Sequence, residues 1–258
     1  MKAIIIGGGI AGLASALALT RRGWEVEVLE RAPEFTEAGA GLSLWPNALR
    51  ALDALGVGEP VRGRAALEGQ AGMRDTAGRW LSRTDTAGLE RRYGPVAMIH
   101  RADLLAVLLA AMPDGALRPG TTVTGVRPDG TVLHSGGESR ADLVVGADGV
   151  RSAVRRSVWP DAPGPRYAGY TTWRMVTAPV PVAESSESWG RGSGSATSRS
   201  RTGGSTATPR PTHRKAPQMT GWPGCAAGSA AGTTRSRRSW LRPSPAACCT
   251  TTCMSCRR

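Results

Sequence analysis

The sequence predicts an α/β fold: a parallel sheet flanked by helices, then a fragment of an antiparallel domain, then a disordered basic tail. Three observations predict it. A glycine-rich turn joins a short apolar strand to an Ala/Leu-rich helix at the start of the chain. A second apolar run, Leu143–Val145, suits another strand buried on both faces of a parallel sheet. The composition then switches: residues 1–187 hold 21 Lys/Arg and all 20 Asp/Glu, whereas residues 188–258 hold 12 Lys/Arg and no acid. The net charge of +13 therefore belongs almost wholly to the tail, and the rest is a near-neutral globular chain with no expected nucleic-acid surface.

Taken in order, Ala3–Ile6 is a β-branched run that reads as a buried strand. Gly7, Gly8 and Gly9 break it, and Ile10–Arg22 follows with helical periodicity up to Gly23. Glu25–Leu29 alternates as a strand and ends at Glu30, closing a β-α-β unit of about 30 residues. Trp45–Leu55 reads as a helix, with Pro46 near its start and Gly56 beyond its end. Leu67–Arg74 and Arg79–Arg83 pair as a hairpin around Thr76, Ala77 and Gly78. Arg101–Met112 is a helix stopped by Pro113, Asp114 and Gly115. Thr121–Val126 and Thr131–His134 are strands about the Pro128-Asp129-Gly130 turn. Leu143–Val145 and Tyr167–Val176 complete the strands.

Gly7-x-Gly9-x-x-Gly12 lies between strand and helix, the setting in which this pattern binds a dinucleotide. Gly7 permits the tight turn, Gly9 lets backbone approach a pyrophosphate, and Gly12 lets the helix pack close to the sheet. The helix N-terminus offers unpaired N–H groups and a positive dipole end to the phosphates. Glu30, at the end of the second strand, is placed to accept hydrogen bonds from ribose hydroxyls. The pattern fits a Rossmann-like domain and leaves FAD and NAD open as its cofactor.

Four further stretches resemble the class A flavin-dependent monooxygenases, the aromatic hydroxylases. They are "GAGLSLWPNALRAL" (Gly39–Leu52), "HRADLLAVL" (His100–Leu108), "GADGVRSAVRR" (Gly146–Arg156) and "YAGYTTWRMV" (Tyr167–Val176). The Trp-Pro-Asn version is most similar to urate- and salicylate-hydroxylase-like members. The resemblance covers residues 1 to about 192. It implies FAD as resident cofactor, NAD(P)H as reductant, and O₂ and a small aromatic compound as substrates. It implies that Gly9 and Gly12 lie under the FAD pyrophosphate, that Glu30 holds the adenosine ribose, and that Arg31 lies beside it. Ser43 would lie near the flavin, Arg101 would reach the cofactor from the start of its helix, and Asp148 would meet FAD and, transiently, NAD(P)H. Trp45 and Trp173 are expected to pack, and His100 to be structural. The implied division is an FAD-binding domain over 1–166 with 67–100 contributing to the substrate domain, and the start of the substrate-domain sheet over 167–192.

Residues 193–258 are expected to be a disordered tail. Beyond Val182 there is no Val, Ile, Phe or Tyr, and the single Leu is Leu241, so this segment has little apolar surface to offset ordering. All five cysteines lie here, at 225, 248, 249, 253 and 256, so no disulfide framework supports the rest. The odd cysteine count and the lack of a secretory leader lead us to expect a cytoplasmic protein. No apolar run is long enough to span a membrane, and no metal site is visible before the tail.

The family's second Gly-Asp motif, which follows Asp148 by a long interval, is not found: no Asp occurs after Asp161. A one-nucleotide shift in a GC-rich gene accounts for this. Moved back one base, Ser codons of the TCN type become Phe, Leu, Ile or Val, and Thr codons become Tyr, His, Asn or Asp. Applied from Ser195, the shift yields alternating apolar and turn-forming residues similar to the family's next segment. A native disordered tail, a basic nucleic-acid-binding arm and an intact NAD- or FAD-linked dehydrogenase are the alternatives.

Overall fold

The computed structural model describes residues 1–36, 40–67, 71–168, 174–176, 184–191, 193–199 and 205–207. In chain order these form β1 (Lys2–Ile6), α1 (Ile10–Thr20), β2 (Glu25–Leu29), β3 (Gly41–Leu44), α2 (Pro46–Ala54), α3 (Gly58–Arg64) and β4 (Ala66–Leu67). Next come β5 (Ala71–Asp75), β6 (Trp80–Thr84), α4 (Thr86–Tyr93), β7 (Ala97–His100), α5 (Arg101–Ala110) and β8 (Leu117–Arg118). The rest are β9 (Val123–Val126), β10 (Thr131–His134), β11 (Gly137–Arg140), β12 (Leu143–Gly146), α6 (Ala153–Val158), β13 (Met175–Val176), β14 (Ser185–Gly190), β15 (Ser193–Arg199) and β16 (Ser205–Ala207).

The chain forms two compact units. The first comprises residues 1–37, 50–61 and 102–166. It is built on a four-stranded sheet in the order β12-β1-β2-β8, every neighbouring pair parallel. Ala3 to Ile6 are buried, as a central parallel strand covered on both faces requires. Their alternation divides the core. Ala3 and Ile5, in register with Val26 and Val28, share one face, and Ile5 meets α1 there at Gly12. Ile4, Ile6 and Leu29 pack on the other face with Val132 and Val154, so the β9-β10-β11 sheet and α6 close that side.

The second unit comprises residues 38–49, 62–101 and 167–258. It holds a small sheet in the order β3-β7-β4 and a six-stranded sheet in the order β13-β16-β15-β14-β5-β6. In the larger sheet β14 runs parallel to β5, whereas the other pairs are antiparallel. Trp80 anchors it. The Arg74 guanidinium lies 3.9 Å from the centre of its ring and pairs with Glu184 at 2.6 Å.

Three expectations are corrected. Leu67 belongs to β4, paired with β7, and the hairpin begins at Ala71. Trp45 is 57% exposed rather than packed. The disordered tail expected from Ser193 gives way, at Ser193–Arg199 and Ser205–Ala207, to strands that continue the sheet. The ladder is made by backbone N–H and C=O groups, so a strand poor in branched aliphatics still pairs. Of the strand read at Tyr167–Val176, Met175–Val176 is β13; residues 169–173, with Trp173, and 208–258 lie outside the described residues. Among the described residues no helix is long and apolar enough to cross a membrane.

Candidate cofactor site

The glycine turn is set by three close approaches in the first unit. Gly7 adopts φ +106°, a conformation that side chains disfavour, and a Cβ there would strike the Ala147 carbonyl oxygen. Its N–H donates to Leu29 O at 2.8 Å, while the neighbouring Ala147 N–H donates to Ile6 O at 2.7 Å. Gly12 sits against the Gly7 carbonyl oxygen, with Ile5 Cγ2 3.3 Å from the place of a Cβ. Gly9 is the N-cap of α1. Its backbone is extended, its carbonyl accepts from Leu13 N–H at 3.0 Å, and no side chain caps the helix. The first N–H groups of α1 thus keep their capacity for an anionic ligand.

Glu30 is tied into this turn. Oε2 accepts from Gly8 N–H at 2.7 Å and Oε1 accepts from Ala32 N–H at 2.9 Å. A carboxylate has about four acceptor positions, so these bonds fix the group while leaving lone pairs for ribose hydroxyls. Arg31 beside it is exposed. Asp148 follows β12, and Oδ2 accepts from Ala153 N–H at 2.6 Å and Val154 N–H at 3.2 Å. Ser152 Oγ accepts from Arg155 N–H at 2.9 Å. The Asp148 carboxylate therefore anchors the start of α6. A groove of about 970 Å³ passes Asp148, Gly149, Ser152 and Trp159. Neither Glu30 nor the glycine turn lines it, so it is distinct from the dinucleotide cradle.

The remaining two sequence-predicted residues belong to the second unit. Ser43, on β3, is exposed, and its hydroxyl donates to Met98 Sδ at 3.1 Å. Arg101 opens α5, its backbone N–H donating to Ala40 O at 2.9 Å. Sequence reasoning missed Met98, Ser152 and Phe35. Met98 meets Ser43 only because β7 pairs with β3 across more than 50 residues.

Comparison with known proteins decides between the two dinucleotides. The model of the FAD binding domain family matches residues 1–233. The chain belongs to this family. It is 42% identical over 186 residues to 3-hydroxybenzoate 6-hydroxylase of Klebsiella oxytoca, a match covering 68% of this chain and 46% of that protein. It is 34% identical over 198 residues to salicylate hydroxylase of Pseudomonas putida, covering 72% and 45%. Among solved structures, HpxO of Klebsiella pneumoniae complexed with FAD and uric acid superposes with a TM-score of 0.75 at 29% identity, covering 83% of this chain and 57% of that one. The chain spans about half the length of the curated relatives it matches. The residues present fit FAD: an uncapped α1, a turn where Gly7 and Gly12 leave no room for a Cβ, and a carboxylate fixed at the end of β2.

Proposed function

We propose that the chain is the flavin-binding part of an NAD(P)H-dependent monooxygenase that adds an oxygen atom from O₂ to a small aromatic ring. The observation that carries this reading is the Gly7–Gly12 turn closed by Glu30 in a chain of the FAD-binding family. Relatives that hydroxylate 3-hydroxybenzoate and salicylate support the substrate class. When bound, FAD would supply the redox chemistry that links NAD(P)H oxidation to the use of O₂. The protein residues bind and orient it. The α1 N-terminus and the turn backbone would receive the pyrophosphate, and Glu30 would accept from the ribose hydroxyls. Arg31 would lie beside that ribose, and Asp148, which anchors the start of α6, would meet the cofactor.

Hydroxylation also needs a site that excludes water around the reduced cofactor. With no branched aliphatic residue after Val182 other than Leu241, β14, β15 and β16 offer little apolar surface for that purpose. We therefore propose that this chain consumes NAD(P)H without efficient hydroxylation. The test is NAD(P)H consumption against product formation over a panel of aromatic acids. Close stoichiometry between the two would refute the proposed uncoupling.

A further inference from the structure

The middle glycine of the turn has no backbone reason to be glycine. Gly7 has positive φ and Gly8 does not. What excludes a side chain at position 8 is a neighbour: a Cβ there would run into the Phe35 ring, with Cδ1 at 2.6 Å, and would sit 3.0 Å from Glu30 Cβ. Phe35 is the single phenylalanine of the chain, in the otherwise polar or small stretch Arg31–Thr36. It is half-buried and lies outside the hydrophobic core. Its loop is held at the base. Glu30 N–H donates to Arg118 O at 3.0 Å, Thr121 N–H to Glu30 O at 2.8 Å and Gly120 N–H to Ala32 O at 2.8 Å. Gly8 is buried, and its N–H makes the 2.7 Å bond to Glu30 Oε2 on the residue whose Cβ also borders position 8.

Building on the flavin-site reading, we propose that Phe35 is a positioning residue of the cofactor site. Its ring covers the Gly8 α-carbon, shields the Gly8–Glu30 hydrogen bond from water, and so holds the turn and the carboxylate in the arrangement that receives the dinucleotide. The ring is also the reason that position 8 is glycine. Shielding matters because a hydrogen bond strengthens as the local dielectric falls.

The experiment is FAD titration of the purified full chain and of the Gly8→Ala, Phe35→Ala, Phe35→Tyr and double Gly8→Ala/Phe35→Ala variants. Melting of each chain without FAD and amide exchange at residue 8 accompany it. Gly8→Ala is expected to weaken FAD binding by about tenfold or more, the scale of overpacking a close-packed site. Phe35→Ala weakens it by roughly three- to tenfold, as a partner of one charge-assisted bond becomes wet. Its melting temperature without FAD falls by no more than about 4 °C while amide exchange at Gly8 accelerates, and Phe35→Tyr restores both binding and protection. The double variant binds no more weakly than Phe35→Ala, because the ring that a Cβ would strike is gone. Additive losses in the double variant, or wild-type FAD affinity and Gly8 exchange in Phe35→Ala, would overturn the proposal alone. A wild-type chain that does not bind FAD would overturn the flavin reading and this proposal with it.

Discussion

Replacing Glu30 probes the link between fold and cofactor most sharply. Its two oxygens accept from two backbone donors, Gly8 N–H at 2.7 Å and Ala32 N–H at 2.9 Å. Gly8 is buried and Ala32 half-buried. Glu30→Ala leaves the Gly8 donor without its carboxylate partner, a cost of about 1–3 kcal/mol, whereas water can reach Ala32 at a smaller cost. The ribose contacts are lost as well. A net weakening of FAD binding by ~1–3 kcal/mol, roughly 5- to 150-fold in Kd, follows. Glu30→Gln is expected to be nearly as damaging, because an amide keeps one acceptor and turns a donor toward the other N–H. Glu30→Asp draws the carboxylate back by roughly one bond length, ~1.5 Å, which is too far to keep both bonds. The assay is flavin fluorescence titration of all three variants beside wild type. If Glu30→Gln bound FAD within the roughly twofold expected of an inert surface change, the role assigned to this carboxylate would be wrong.

Gly12→Ala places a Cβ against the Gly7 carbonyl oxygen, a backbone atom that cannot move aside, and should destabilise the chain by ~3 kcal/mol in thermal or urea unfolding. Asp148→Ala removes the acceptor for Ala153 and Val154 N–H and should cost about 1 kcal/mol in the same measurement, with Asn restoring most of it. Burial pushes the Glu27 carboxyl up, but hydrogen bonds and charges from Lys2 and Arg118 outweigh this and hold it below its ordinary value of 4.5. Its contribution, less than about 1 kcal/mol for such partly exposed pairs, is complete above that value and lost as pH falls through the lowered one. The melting temperature should drop there, and less steeply in Glu27→Gln. The coding DNA should carry a one-nucleotide lesion near the codons for Gly190–Ser193, where the acidic residues stop. Restoring the base should open a frame that encodes a Gly-Asp motif downstream; stop codons in that frame would count against the lesion.

The β1-α1-β2 unit was legible because its signals are local: an apolar run, a turn that needs glycine, a helical repeat and an acid at the strand end. Strand β12 was legible for the same reason. The β3-β7-β4 sheet was not, since Gly41–Leu44 and Ala97–His100 are short and acquire strand character only by pairing across the chain. The two-residue β8 is defined by its parallel register with Val28 and Leu29, which no periodicity announces. Strand β15 was missed because the reading weighed side chains, and Ser193–Arg199 is held by its ladder to β14. The place of Glu30 directly after β2 was legible, while its bond to Gly8 was not. Phe35 gave one signal, a lone aromatic in a polar loop, and its use emerged only when the loop was seen folded over the turn.

The central claim is that the Gly7–Gly12 turn and Glu30 form an FAD site. Its most direct measurement is an equilibrium titration of the purified chain with FAD and, separately, with NAD, read by flavin fluorescence and by the melting temperature. The account predicts saturable binding of one FAD per chain, a rise in melting temperature with FAD concentration, and no comparable effect of NAD. Tight binding of NAD with none of FAD would contradict it.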